Sequence, residues 1–307
     1  VMNSWEESGY QFLPMAIHPD INRLFGDKLK DKTMSESTHA ERHLLVHPGK
    51  KINLSEIDST ATPGTTSSKA ELDQAVAKLH VQLEELQGRL WAESKRSLLM
   101  VLQALDTGGK DGTIRRVFGG VNPQGVDVSG FRAPIGEELK HDFLWRIYSK
   151  LPAKGEIGIF NRSHYEDVVA TKVLSLIDSH EQERRINTIK AFESNLANSG
   201  TTIIKIFLHI SKDEQKKRLQ ERIDIPEKNW KFSSADLETR KLWTPYMETY
   251  SSVISQTSFD FAPWYVVPAR HKWYRDWAIV NLLVDTITKM NPQYPPPEPN
   301  LSKVVIK

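Results

Sequence analysis

Apolar residues recur along this chain with two different spacings, and the alternation between them predicts the fold. After Ser68 the positions Leu72, Val76, Leu79, Leu83, Leu86 and Leu90 return every three or four residues, the spacing of one helix face. Ser68-Lys69-Ala70-Glu71 opens that run as a capping box, in which serine and glutamate each satisfy a free N–H of the first turn. Residues 97–103 (SLLMVLQ) are almost wholly apolar, as expected of a parallel strand buried on both faces. Short runs of the same kind recur at 126–131, 157–160, 202–210 and 264–267. Helical spacing returns between them at Leu139, Phe143, Ile147 and Leu151, and again at Ile186, Ile189, Phe192 and Leu196. A last helix is predicted from Trp277, Val280, Val284 and Ile287. Strands alternating with helices predict a doubly wound α/β sheet that binds ligands beyond the carboxyl ends of its strands.

Both ends of the chain break this pattern. Residues 1–66 show little periodicity and run into a linker of small polar residues, Ser59 to Ser68; an arm lying on the domain and partly disordered is expected there. The domain proper is expected over 67–290. The tail 291–307 contains Pro295-Pro296-Pro297 and is expected to be extended, since proline fits neither helix interior nor central strand. Of 307 residues 39% are hydrophobic and 26% charged, enough apolar surface for a sizeable core. No stretch has the roughly 18 consecutive apolar residues of a membrane span, and the start shows no apolar secretion signal, so no membrane partner is expected. The absence of cysteine excludes disulfides and thiolate metal sites, and fits a cytoplasmic location. Net charge is only +2, so a polyanion must be held by a local basic patch.

The strongest candidate chemistry follows the run at 97–103. Asp106-Thr107-Gly108-Gly109-Lys110-Asp111-Gly112-Thr113 is a glycine-rich turn between a strand and a helix, where backbone N–H groups, a helix N-terminus and a lysine converge on one anion. Thr107, Gly108, Gly109, Gly112 and Thr113 are therefore candidate phosphate contacts, followed by Arg115 and Arg116. By itself the motif also suits a tight strand-to-helix connection. It departs from the usual phosphate loop at Ala104, in place of the first glycine, and at Asp111, in place of the hydroxyl residue. Asp106 among phosphate-binding amides suggests a magnesium ligand or a base, although a capping or Asx-turn aspartate is the plainer alternative.

A second strand end reads Asn161-Arg162-Ser163-His164-Tyr165-Glu166-Asp167. Such a tip commonly carries a magnesium-binding acid; here Asn161 is neutral, Arg162 suits a phosphate, and Glu166 and Asp167 supply charge nearby. Further on, Ser211-Lys212-Asp213-Glu214 caps a basic helix with Lys216, Lys217, Arg218 and Arg222, followed by Lys228 and Lys231. Arg218 and Arg222 share a face, being four residues apart. The segment is either a solvated surface or a lid that closes on phosphates, expected over about 211–257.

Taken together the blocks 103–113 (QALDTGGKDGT), 122–125 (NPQG), 141–146 (HDFLWR), 160–167 (FNRSHYED), 226–232 (PEKNWKF), 263–268 (PWYVVP) and 272–275 (KWYR) resemble the polyphosphate kinase 2 family, in order, over residues 35–290. The resemblance implies a three-layer P-loop kinase fold with a helical lid, a basic channel for inorganic polyphosphate, a magnesium requirement, and a homo-oligomer, dimer or tetramer. It implies Asp106, Lys110, Arg162 and Arg222 as catalytic residues, with Asp106, Asn161 and Glu166 as the candidate magnesium ligands. Arg218, Lys228 and Lys231 become candidate polyphosphate contacts. Asn161 stands where most members have aspartate; FNRS followed by Tyr-Glu-Asp is similar to the subgroup acting on nucleoside mono- and diphosphates, so Asn161 and Glu166 bear on acceptor choice. The expected reaction is phosphate transfer between polyphosphate and AMP, ADP or ATP, with no nucleic-acid partner. Two other readings stay open: an ATP-dependent kinase of a small metabolite or nucleotide, and a non-catalytic polyanion-binding protein, for which Asp111 and Asn161 would be signs of decay.

Overall fold

Every side chain of β2 (Ser97–Gln103) is buried, because the strand lies between two others in a sheet covered on both faces. The computed structural model describes residues 41–301 together with 304 and 306; the first 40 positions of the expected arm and part of the tail lie outside the described residues. The other strands are β1 (Leu45–Val46), β3 (Val126–Gly130), β4 (Ile157–Asn161), β5 (Thr201–His209) and β6 (Trp264–Pro268), in the sheet order β1-β6-β5-β2-β4-β3. All neighbours are parallel except β1, which pairs antiparallel with β6 through Leu45↔Tyr265 and Val46↔Trp264. That edge strand comes from the segment in which the sequence shows no pattern, since two residues are too few to show a period.

The period of two along each strand separates two cores. Leu98, Met100 and Leu102 of β2 join Ile204, Ile206 and Leu208 of β5 on one face, under α1 (Lys69–Glu93) and the last helix, α9 (Lys272–Met290). Leu99 and Val101 join Ile203 and Phe207 on the other. That face is covered by α4 (Glu166–Val173), α5 (Ser179–Asn198) and α8 (Trp243–Thr257). Between them in sequence come α2 (Lys110–Val117), α3 (Trp145–Tyr148), α6 (Lys212–Asp224) and α7 (Ser234–Lys241). The result is the three-layer α/β arrangement. Ser68 and Glu71 form the reciprocal cap of α1. The chain leaves β2 for β3 and β4 on one side and returns to β5 on the other, so the crevice at the carboxyl end of β2 is the topological switch point.

Two expectations are corrected. The helix read from Leu139 to Leu151 is broken: a 3-10 turn covers Gly136–Lys140 and α3 only four residues. Asp142 accepts the N–H of Leu144 (2.9 Å), a local side-chain bond that competes with a continuous helix, and Leu139 is exposed. The span 211–257 expected as a lid takes in α8, whose Tyr246, Met247, Tyr250, Val253 and Ile254 are core residues. A lid would be confined to α6, the 3-10 turn Pro226–Lys231 and α7.

One strand position is charged. Lys205, in β5 between Ile203 and Phe207, is fully buried and donates from Nζ to Glu193 Oε2 (2.5 Å), the Thr257 carbonyl (2.6 Å) and the Tyr165 hydroxyl (3.0 Å). Burial works against the Glu193 carboxylate, but Lys205 and His164 outweigh it and hold its pKa below the ordinary value. The network ties α4, α5 and α8 to the sheet directly behind the loop that starts at Asn161. Lys205→Met alone is expected to cost about 3–5 kcal/mol by leaving Glu193 charged and unpaired, and Glu193→Leu added to it should recover most of that. Urea unfolding of both variants tests this; a double variant no more stable than the single one would show that shape rather than charge sets the cost.

Candidate functional site

The loop after β2 is built as a tight turn with its back fastened. Gly108 N–H donates to the Leu105 carbonyl (3.0 Å), and Thr107 takes a left-handed backbone with φ +63°. Gly109 caps α2 with φ +105°, a left-handed conformation that favours glycine, and a Cβ there would also stand 2.5 Å from Arg275 Nη1 and displace it. Lys110 then opens α2, and its Nζ donates to the Ala104 carbonyl (2.8 Å). Burial is the main cause pulling the Lys110 amine down to about 8, with Arg162 adding repulsion against the pull of Glu166, Asp106 and Asp111.

The strand tip of β4 faces this loop, since Asn161 is the ladder partner of Leu102. Arg162 N–H donates to the Leu102 carbonyl (3.1 Å), and a left-handed φ of +65° turns its side chain to Asp106, where Nη2 meets Oδ1 at 2.6 Å. Burial works against the Arg162 charge, yet Glu166 and Asp106 outweigh it and raise its pKa. Asn161 donates its amide to Asp111 Oδ1 (2.8 Å), bringing together two of the three positions that depart from the usual motifs. Glu166 lies behind them, its pKa raised chiefly by burial. The Gln103 amide, oriented to suit its neighbours, donates to Glu166 Oε1 (2.8 Å) and the Tyr250 hydroxyl (3.2 Å) and accepts from Ser163 N (3.1 Å) and Oγ (3.0 Å). Asp167 is spent elsewhere, in a buried ion pair with Arg146 (3.0 Å).

The basic segment divides into residues that face the loop and residues that do not. Arg222 Nη1 pairs with Asp236 of α7 (2.8 Å) and the Lys231 carbonyl (2.9 Å). Lys228 pairs with Glu221 (3.1 Å), and Lys231 lies over the exposed Trp230 ring. Arg218 is buried and bonded to the carbonyls of Thr107 and Gly108. Thr113 is buried, with its hydroxyl on the Gly109 carbonyl (3.1 Å), whereas Arg115 and Arg116 are exposed at the far end of α2. Gly112 faces Arg275 Nη2. Beside α2 a cavity of about 480 Å³ carries Lys69, Arg116, Lys217, Arg218, Arg270 and Lys272 on its walls, against Asp73, Glu214, Glu221 and Asp276.

Two contributors were not legible as site residues. Asp236 reads in sequence only as the acid of a cap begun by Ser233, which does accept the Ala235 N–H (3.3 Å). Gln103 reads as the last residue of a buried strand.

The oxygen donors at the mouth, Asp106, Asn161 and Asp111, include no histidine or cysteine and therefore suit a hard cation. Among the described residues no group of three or more His, Cys, Asp or Glu is arranged as a metal cage. Magnesium commonly takes one or two carboxylates with water and substrate phosphates completing its shell, so the donor set fits a cation brought with phosphate. Thr107 Oγ1 is buried with no hydrogen-bond partner among the described residues, an unmet polar group inside the cradle.

Comparison with known proteins gives a consistent result. A family model described as polyphosphate kinase 2 matches residues 66–295. An AMP/ADP-polyphosphate phosphotransferase of Meiothermus ruber is 49% identical over 262 residues, 85% of this chain and 98% of its own length. An ADP-polyphosphate phosphotransferase of Rhodopseudomonas palustris is 39% identical, over 87% of this chain and 96% of its own. The crystal structure of a polyphosphate kinase 2 from Arthrobacter aurescens TC1 superposes with a TM-score of 0.83 at 43% identity, covering 86% of this chain and 94% of that one.

The depressed Lys110 amine has a measurable consequence. An ordinary lysine stays protonated to 10.5, but this one is half neutral near pH 8 in the substrate-free protein. Binding a triphosphate favours the ammonium form, so Lys110 should take up a proton on binding at pH 9 but not at pH 6.5, where it is already charged; the Lys110 contribution is the uptake in wild type less that in Lys110→Met. Calorimetry in two buffers of different ionisation enthalpy measures the uptake; no difference between wild type and variant at pH 9 would place the amine at its ordinary value.

Proposed function

The chain belongs to the polyphosphate kinase 2 family, and from that premise we propose that it moves a phosphoryl group between inorganic polyphosphate and AMP or ADP. The observation that carries this reading is the meeting of the two strand ends. Asp106 in the phosphate loop and Arg162 on the neighbouring tip form one ion pair at the switch point of the sheet, with Lys110 alongside. In the forward direction the acceptor's terminal phosphate oxygen attacks the end phosphorus of the chain, a new P–O bond forms, the bridging P–O bond breaks, and polyphosphate leaves one unit shorter. Such a transfer asks for positioning and charge compensation more than covalent chemistry.

Each cation the reaction needs is held on a protein acceptor in the substrate-free molecule: Lys110 on the Ala104 carbonyl, Arg162 on Asp106, Arg222 on Asp236. Phosphate oxygens replace those acceptors, so the charges arrive already directed and with little rearrangement of the backbone. The N–H groups at the start of α2 hold the phosphate being transferred. The polyphosphate chain lies along the basic wall beside α2, reached by Arg116, Lys217 and Lys272, with Lys228 and Lys231 on the closing segment. Magnesium would be held by Asp106, assisted by Asn161 Oδ1 and Glu166, and when bound supplies charge neutralisation between donor and acceptor phosphates. Neutral Asn161, facing Asp111, lowers the negative charge at the acceptor side, and both AMP and ADP are proposed acceptors. We place the enzyme in the cytoplasm, where nucleotides are available, as a homo-oligomer; Ile135, Leu139, Trp145 and Tyr148, in the segment that follows β3, are large apolar residues left exposed, which fits this.

Protein mixed with magnesium, long-chain polyphosphate and ADP should yield ATP, and with AMP should yield ADP and then ATP. ATP formation undiminished by excess chelator would exclude the metal requirement. Arg222→Ala and Arg162→Ala should each lower kcat by about 10²-fold or more, the scale of losing one preorganised charge-stabilising donor, with thermal unfolding little changed.

Replacing Glu166 with Lys should reduce the initial rate with AMP more than with ADP, because a cation there draws the acceptor phosphate or displaces the metal. Equal losses on the two acceptors would instead make Glu166 a general support of the site.

A further inference from the structure

Arg218 was expected among the residues that touch polyphosphate, but its geometry gives it a different task. A guanidinium has five N–H donors. Here Nε donates to Glu214 Oε1 (2.6 Å), Nη1 to the carbonyls of Thr107 (3.1 Å) and Gly108 (3.2 Å), and Nη2 to those of Ala269 (2.8 Å) and Arg270 (3.4 Å). No donor is left over for a phosphate. One turn earlier on α6, Gln215 Nε2 donates to the Asp106 carbonyl (3.2 Å), and Arg240 of α7 holds the Gln215 Oε1 (3.1 Å).

These bonds act on peptide planes. In a planar trans peptide the C=O and the next N–H point in opposite directions. Drawing the carbonyls of Asp106 and Gly108 back toward α6 therefore aims the N–H groups of Thr107 and Gly109 away from α6. The bond to the Thr107 carbonyl holds a non-glycine residue in the left-handed region, a conformation that costs about 1 kcal/mol or more without such support. We propose that Arg218, with Gln215, is a positioning residue that fixes the orientation of the phosphate-loop peptides and registers Arg222, one turn further along α6, against that loop.

The kinetic part rests on the polyphosphate reading above, so the test includes one arm that needs no turnover. Hydrogen exchange of residues 104–112 in the substrate-free protein should be at least about tenfold faster in Arg218→Met than in wild type, as loop bonds open. With polyphosphate and ADP, Arg218→Met should lose about 10²-fold in kcat while KM for polyphosphate stays within about threefold. Arg218→Lys, which keeps the charge but offers one nitrogen for four carbonyls, should remain impaired. Added guanidinium ion should restore part of the activity of Arg218→Ala. Unchanged loop exchange, or a tenfold rise in KM with kcat intact, would overturn the proposal and make Arg218 a direct polyphosphate contact. If Arg218→Met does not fold, Gln215→Leu leaves Arg218 in place and removes the Asp106 bond together with the Arg240 bond behind it: a several-fold loss of kcat at constant KM supports the assignment, and wild-type kcat overturns it. A wild type that transfers no phosphate from polyphosphate would sink the functional reading while leaving the exchange result to judge the loop.

Discussion

A backbone that offers its N–H groups to an anion must turn the carbonyls of the same peptides away, and buried carbonyls need partners of their own. The site depends on that constraint. β2 ends in the middle of a sheet packed on both faces, so the loop that follows has protein behind it and the crevice in front. Behind it, α6 supplies Arg218 and Gln215 to the carbonyls of Asp106, Thr107 and Gly108. Arg275, tied to Asp276, packs against Gly109, whose left-handed backbone favours glycine. Two buried guanidinium groups, each with its own carboxylate, thus form the floor of the loop.

The same constraint orders the charges in front. Lys110, Arg162 and Arg222 are each paired with an acceptor on a different element, and the acceptors are within reach of the loop mouth rather than scattered over the surface. A cation left unpaired in this half-buried crevice would be costly, while one paired irreversibly would be useless to a substrate. Pairing with a carbonyl or a single carboxylate oxygen is weak enough to be exchanged for phosphate oxygens, which accept charge-assisted bonds more strongly. Behind the second strand tip the Lys205–Glu193–Tyr165 network is different in kind: it is fully buried and serves to hold α4 and α5 on the sheet. Its effect on the site passes through Tyr165, the neighbour of Glu166.

The sequence by itself determined the sheet and the loops that meet at its switch point. The apolar runs at 97–103 and 202–210 were expected as strands buried on both faces, and the structure puts them side by side at the centre. The glycine-rich turn after the first of them and the strand end at Asn161-Arg162 were the two motifs with candidate phosphate chemistry, and the structure brings them together. These features were legible because they are local: a period of two or of about four residues, a capping pair, a left-handed glycine, each records its requirement within a few residues.

Only the tertiary structure decided what each charged side chain does, because a charge carries no mark of its partner in the sequence. Arg218 and Arg222 share a helix face, yet one is consumed by five protein acceptors and the other is held by Asp236, a residue that sequence shows only as the acid of a cap. Glu166 and Asp167 are adjacent, but Asp167 is taken by Arg146, and Glu166 stays near the site through Gln103. Lys205, a lysine in an apolar strand, announces a buried partner without naming it. Hydrophobic burial is additive along a strand and so can be read from its period; pairing joins residues as far apart as 111 positions, as in Arg218 with Thr107, and exists only once the sheet has brought them together.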